Sequence, residues 1–162
     1  MNQTVIRTKY RIIAFSVFFA LNFAGFTFTA VAQKLSLSML QVEHQDNPLS
    51  VDAASPRMSW KINSTLKNTR QTSYEIRVGT DKNSLAKGKN VSWNRSKQSD
   101  QSVLVAYDGP ALQSKTRYYW QVRIKDNHGN TSAWSQVNHW QTGLQPGDWT
   151  AKWIAVTGKD TP

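Results

Sequence analysis

The sequence contains no cysteine, so neither a disulfide nor a cysteine-ligated zinc site can hold it together. No acidic residue precedes Glu43 and no phenylalanine follows Phe28, which divides the composition at about residue 32. Beyond that point Leu, Ile and Val supply only 22 of 130 residues, or 17%, a share at which a chain is suspected of disorder. Seven Trp and four Tyr in the same stretch answer the suspicion, because each ring can bury about 150–250 Å² and replace aliphatic core. Glutamate is scarcer still, represented by Glu43 and Glu75 alone. The basic residues number 20 against 10 acids over the whole chain, and Arg7, Lys9 and Arg11 fall in the first 32, so the remainder carries a net +7. The length suits one domain of ordinary size preceded by a leader.

Arg7, Lys9 and Arg11 stand before the apolar run from Ile12 to Phe28, which closes at Ala30-Val31-Ala32 ahead of Gln33. Basic region, apolar region and small-residue end, in that order, make residues 1–32 a signal peptide and imply export to the periplasm or the outside. A membrane anchor is the alternative, since the run approaches spanning length. Asn22 and Gly25 inside the run, together with the Ala-x-Ala end, favour cleavage and no membrane attachment afterwards.

After residue 35 the apolar period is two, and no window of 11 or more residues gives a helical stripe. Leu35 to Val42 reads as a first strand. Met58, Trp60 and Ile62 alternate with Arg57, Ser59 and Lys61, and Tyr74, Ile76 and Val78 alternate with Glu75 and Arg77. Val91 to Trp93 and Val103 to Val105 are shorter candidates, the latter ahead of the turn Tyr107-Asp108-Gly109-Pro110. The longest strand runs from Thr116 to Lys125, with Tyr118, Trp120, Val122 and Ile124 on one face and Arg117, Tyr119, Gln121, Arg123 and Lys125 on the other. It ends at the hairpin signal Asp126-Asn127-His128-Gly129-Asn130, and Val137 to Thr142 returns as its partner. Seven short strands without βαβ alternation predict an all-β antiparallel sandwich over residues 33–144. Trp60 and Trp120 fall at central inward positions. Tyr118 is placed to pin a corner between the sheets, its hydroxyl meeting backbone a few residues upstream.

Little in the chain carries chemistry. His44, His128 and His139 lack metal-ligand spacing and read as surface histidines in or beside turns. No Gly-x-Ser-x-Gly elbow accompanies the Ser, His and Asp residues. Asp81, Asp108, Asp126 and Asp148 occupy turns, where carboxylates bond local backbone. Neither a catalytic residue nor a cofactor or metal site is expected. Lys and Arg are scattered, which argues against nucleic acid and fits an acidic polysaccharide better. Trp93, Trp134, Trp149 and Trp153 lie outside the clearest inward positions, where tryptophan can stack on sugar. For Trp134 a structural role is favoured: covering Arg123 and Arg117 on the outer face in a cation–π ladder.

Leu112, Thr116, Tyr118, Val122, Asn127, Gly129, Ser132 and Ser135 stand in an order that resembles a fibronectin type III module. The segments Asn47-Pro48-Leu49, Pro56-Arg57-Met58-Ser59-Trp60, Arg70 to Val78, Ser99 to Ser102, Thr116 to Arg123 and Ser132-Ala133-Trp134-Ser135 more specifically resemble the N-terminal module of bacterial α-L-rhamnosidases, glycoside hydrolase family 78. Asp148-Trp149-Thr150-Ala151-Lys152-Trp153-Ile154 is similar to the segment that closes this module and begins the next in that family. Arg95-Ser96 and Ala155 replace glycines usual there.

The resemblance implies that residues 145–162 begin a following β module, with Trp149 and Trp153 at the junction. It further implies an acid and a base for glycoside hydrolysis in a barrel beyond this chain, the missing downstream modules as partners, and rhamnose-containing polysaccharide as a candidate ligand. The expected role is a non-catalytic accessory module. A free-standing secreted module for adhesion or glycan binding is the alternative.

Overall fold

The computed structural model describes residues 35–148 and Thr150. The leader at residues 1–32, and Trp149 and Trp153, lie outside them. Seven strands follow in chain order: β1 (Leu35–Val42), β2 (Arg57–Ser64), β3 (Gln71–Gly79), β4 (Trp93–Gln98), β5 (Val105–Ala106), β6 (Arg117–Asp126) and β7 (Asn138–Gln141). One short helix, α1 (Lys82–Ala86), interrupts them between β3 and β4. They form two antiparallel sheets, one ordered β1-β2-β5 and the other β4-β3-β6-β7. The chain crosses between sheets after β2, after β4 and again after β5. This is the all-β sandwich that the period-two pattern predicts.

Aromatic rings fill the space where aliphatic residues are scarce. Met58 and Trp60 of the first sheet face Tyr74, Ile76, Val78, Trp120, Val122 and Ile124 of the second, all in one buried cluster. Trp60 meets Tyr74 edge to face at 5.5 Å. Tyr118 stacks on Trp140 at 5.4 Å, Trp140 meets Tyr107 at 6.1 Å, and Tyr107 meets Trp93 at 4.8 Å. Trp93 is therefore packed against the core and is not a free sugar platform. A Cβ on Gly109 would lie 2.5 Å from the Tyr107 ring and 2.6 Å from Trp93, so glycine is what lets these rings close.

Three local expectations change. The strand expected at Val91 to Trp93 instead begins at Trp93 and runs to Gln98, pairing with β3 from Val78↔Trp93 to Ser73↔Gln98. Its sequence is polar because it is an edge strand, where Arg95 and Lys97 discourage pairing with another chain. Val103 does not belong to a strand and is 58% exposed. Leu104 takes a φ of 55° and donates its N–H to Ser59 Oγ at 2.9 Å, so the alternation breaks between Val103 and the buried Val105. The return strand β7 is four residues long and pairs only with Arg117 to Trp120. The helix α1 was invisible to periodicity, yet Asp81 is its N-cap, accepting from Ser84 N at 2.7 Å.

Candidate functional site

Residues 132–135 explain how the outer face of the second sheet is covered. Ser132 and Ser135 dock on β6 by backbone and hydroxyl together: Ser135 N donates to Val122 O at 2.8 Å, while Val122 N donates to Ser135 Oγ at 3.1 Å. Ser132 repeats the pattern with Ile124, at 2.9 Å and 3.0 Å. Trp134 is thereby laid across the sheet, with the Arg77 guanidinium 4.1 Å and the Arg123 guanidinium 4.8 Å from its ring centre. The ladder therefore joins Arg123 to Arg77, not to Arg117. Arg117 lies six residues from Arg123 along one strand, about 20 Å, and instead donates to Gln141 Oε1 at 3.0 Å. Arg77 belongs to the neighbouring strand, where the register sets it opposite Gln121, whose side-chain oxygen it reaches at 2.7 Å. Burial, and then the neighbouring Arg123 charge, lower Arg77 from its ordinary pKa.

The corner tyrosine sits as its position suggests. Gln113 N donates to Tyr118 Oη at 2.7 Å, and the ring is 5% exposed. Trp60 and Trp120 are buried at 3% and 0% exposure, and Trp60 Nε1 donates to Gln71 Oε1 at 3.0 Å.

Six of the nine described acidic residues, Glu43, Glu75, Asp81, Asp108, Asp126 and Asp148, have side-chain hydrogen-bond or ion-pair partners. Glu43 takes both Nε and Nη2 of Arg57, the latter at 2.6 Å, together with Arg57 N at 2.7 Å. The Arg57 side-chain bonds hold the Glu43 carboxyl below its ordinary pKa. Glu75 pairs with Arg123 at 2.8 Å on the outer face of the other sheet, and Asp108 pairs with Arg95 at 2.5 Å. Burial alone would raise the Asp126 carboxyl, but bonds from the Asn130 side chain, Asn130 N and His128 N outweigh it and hold the group low. His44 and His128 are exposed in turns. His139 departs from expectation: it is half-buried on β7 and tilts against Tyr119 at 6.0 Å. Burial, with the nearby Arg117 and Lys82 charges, lowers its pKa. Among the described residues no three His, Asp or Glu side chains gather as a metal site would require, and no helix is long and apolar enough to cross a membrane.

A concavity lies at the end of the sandwich where the chain leaves β7. It is a groove of about 670 Å³, lined by Val51, Ala53, Ala54, Ala111, Leu112 and Leu144, with Asp52, Thr142 and Gln145 as its polar members. Sequence reading missed it because three separate loops build it and none carries a motif. A Cβ on Gly143 would meet Asp52 Oδ1 at 2.4 Å, so the exposed Asp52 side chain would have to turn aside for any larger residue there.

Comparison with known proteins bears on this arrangement. Residues 37–146 match the family model described as Rha78A-like, N-terminal immunoglobulin domain. An α-L-rhamnosidase of Streptomyces avermitilis is 42% identical over 124 residues, which is 75% of this chain and 12% of that protein. One from Formosa agariphila is 33% identical over 157 residues, 92% of this chain and 16% of the relative. The crystal structure of the Streptomyces avermitilis enzyme complexed with L-rhamnose superposes with a TM-score of 0.70 at 41% identity, covering 75% of this chain and 12% of that one. The α-L-rhamnosidase from Dictyoglumus thermophilum gives a TM-score of 0.70 at 34% identity, over 74% of this chain and 14% of its own. The chain thus spans about a sixth or less of the length of these relatives.

Proposed function

The chain belongs to the Rha78A-like N-terminal immunoglobulin domain family, and we propose that it serves as the non-catalytic N-terminal accessory module of an exported α-L-rhamnosidase. One observation carries the reading: the match takes up three quarters of this chain but only 12% of the Streptomyces avermitilis enzyme. The surroundings of the acids support it. An inverting glycosidase needs two carboxyl groups facing one bond, roughly 6.5–9.5 Å apart. Here Glu43 is held by Arg57 beside β1 and Glu75 by Arg123 on the outer face of the other sheet. The role of such a module is to brace the catalytic unit to which it is joined. Export rests on the leader pattern of residues 1–32, with cleavage after Ala32.

The test uses an aryl α-L-rhamnoside. The purified chain should release no rhamnose, whereas release that is lost in Glu43→Gln or Glu75→Gln would overturn the assignment. Mass spectrometry of exported material should find Gln33 as the first residue; an intact Met1 on membrane-bound material would mean an anchor.

A further inference from the structure

We propose that the cleft between the edge strands β4 and β5 binds the carboxylate of an acidic sugar, one hexuronate unit of an anionic polysaccharide. Tyr74, Arg95, Lys97, Gln101, Val105 and Asp108 line it. Its volume of about 190 Å³ is below the roughly 300–1,000 Å³ that encloses a drug-sized ligand, and suits one unit of a chain that continues outside. The site lies wholly within this module and is tested without a catalytic unit.

Sheet register builds the cleft. β4 pairs with β3 as Val78↔Trp93, Ile76↔Arg95 and Tyr74↔Lys97, so Trp93, Arg95 and Lys97 share the inner face of the edge strand. Trp93 packs into the core against Tyr107, whereas Arg95 and Lys97 stand at the mouth of the sandwich, where β5 ends the other sheet. Charge on the inner face of an edge strand guards against strand pairing, but it explains neither the cavity nor the tyrosine beside it. Tyr74 is 3% exposed, and its ring meets Trp60 inside the sandwich. The hydroxyls of Tyr107 and Tyr118 have backbone partners, Pro110 O and Gln113 N, while that of Tyr74 bonds no group among the described residues. Burial raises its pKa above the ordinary value, with Arg95 lowering and Asp108 raising it. Both charges line the cleft, so the hydroxyl lies at its wall, and at neutral pH it is an O–H donor.

Donors and positive charge are in excess there. Asp108 pairs with Arg95, and Lys97 has no ion-pair partner among the described residues. One positive charge is left over, which one carboxylate balances. The planar Arg95 fork carries more N–H donors than the pair with Asp108 uses. With Lys97 and the Tyr74 hydroxyl it offers the ligand's carboxylate three donor groups, and hydrogen bonds to an ionised acceptor are the strong ones. The rest of the lining suits a sugar ring better than an acidic peptide. Gln101 donates its side-chain amide to Val103 O at 3.1 Å and Leu104 O at 3.2 Å, which leaves its Oε1 to accept from a ring hydroxyl. Val105 and its neighbours Leu104 and Ala106 supply apolar wall for the C–H faces of the ring.

Backbone amide NMR of the chain, titrated with trimers of galacturonate and of mannuronate, provides the assay; two trimers are used because the cleft selects the carboxylate and not the ring stereochemistry. At least one should bind, with shifts centred on residues 93–97 and 101–108, and neutral maltotriose should bind at least about tenfold more weakly. Tyr74→Phe, which keeps the ring against Trp60, and Lys97→Gln should each weaken binding about tenfold, the loss of one hydrogen bond to a charged group. Lys61→Gln removes the same charge from an exposed position on β2 and should leave the affinity unchanged. The amide spectra also report whether each variant is folded. Failure of both trimers to bind, equal affinity in wild type and the folded site variants, or an equal loss in Lys61→Gln would overturn the proposal. So would equally tight binding of a triglutamate peptide, because an acidic protein segment would then be the occupant.

Discussion

Tyr118→Phe removes one oxygen and leaves everything else at the corner in place. The ring keeps its stack on Trp140 at 5.4 Å, so no cavity opens and no apolar area is lost. What changes is Gln113 N–H, which now donates to Tyr118 Oη at 2.7 Å across a partly buried contact. An N–H left unpaired in a dry site costs about 1–3 kcal/mol. Gln113 itself is exposed, and water reaching its N–H recovers some of that, so a loss of about 1–2 kcal/mol is expected. At this size the loss corresponds to a melting temperature lower by roughly 4–8 °C. Urea unfolding followed by tryptophan fluorescence should show a lower midpoint at unchanged slope. Tyr119→Phe is the control: Tyr119 lies on the outer face against His139, and its change should stay within about 0.5 kcal/mol. If Tyr118→Phe also falls within about 0.5 kcal/mol, the hydroxyl does not hold the corner and the reasoning fails.

Trp60→Ala and Trp120→Ala each empty a central core position and should lower unfolding free energy by about 3–5 kcal/mol in the same assay. Arg77→Ala should cost about 1 kcal/mol by losing the face of Trp134, whereas Arg117→Ala, away from that ring, should stay within about 0.5 kcal/mol; the reverse order would refute the ladder. Asp126 has a folded-state pKa below its ordinary value, so its contribution is complete above the unfolded pKa and is lost as pH falls through the folded one. The stability difference between wild type and Asp126→Asn should therefore shrink as urea midpoints are compared from pH 6 down to pH 2. His139 is also lowered, so the protein should gain stability as pH rises from the folded-state pKa of His139 to about 6.5, and His139→Gln should flatten that rise.

What the sequence disclosed, it disclosed through patterns that one strand imposes on itself. The alternation of Tyr118, Trp120, Val122 and Ile124 against Arg117, Tyr119, Gln121, Arg123 and Lys125 sufficed for β6, because burying one face of a pleated strand demands a period of two. The same logic failed on β4, whose residues WNRSKQ lie at a sheet edge and bury little. It failed at Val103 because the positive φ of Leu104 moves the side chains out of phase. Five residues of α1 are too few to show a stripe, though its Asp81 cap was legible as a turn residue.

The ladder on Trp134 shows where such reading stops. Arg117 and Arg123 share a face of one strand, so period alone makes both candidates for the ring. The true partner, Arg77, is 46 positions earlier than Arg123 in sequence and becomes a neighbour only through the register Arg77↔Gln121 and Glu75↔Arg123. That register runs unbroken from Ser73↔Lys125 to Gly79↔Tyr119, and a shift of one residue would turn Arg77 into the core. The groove beside β7 is non-local in the same sense, since segments near residues 51–54, 111–112 and 142–145 meet there only after both sheets have closed. Features built across strands are therefore the ones least visible in the sequence: each is made by segments far apart along the chain, and no single segment needs a distinctive pattern to contribute its part.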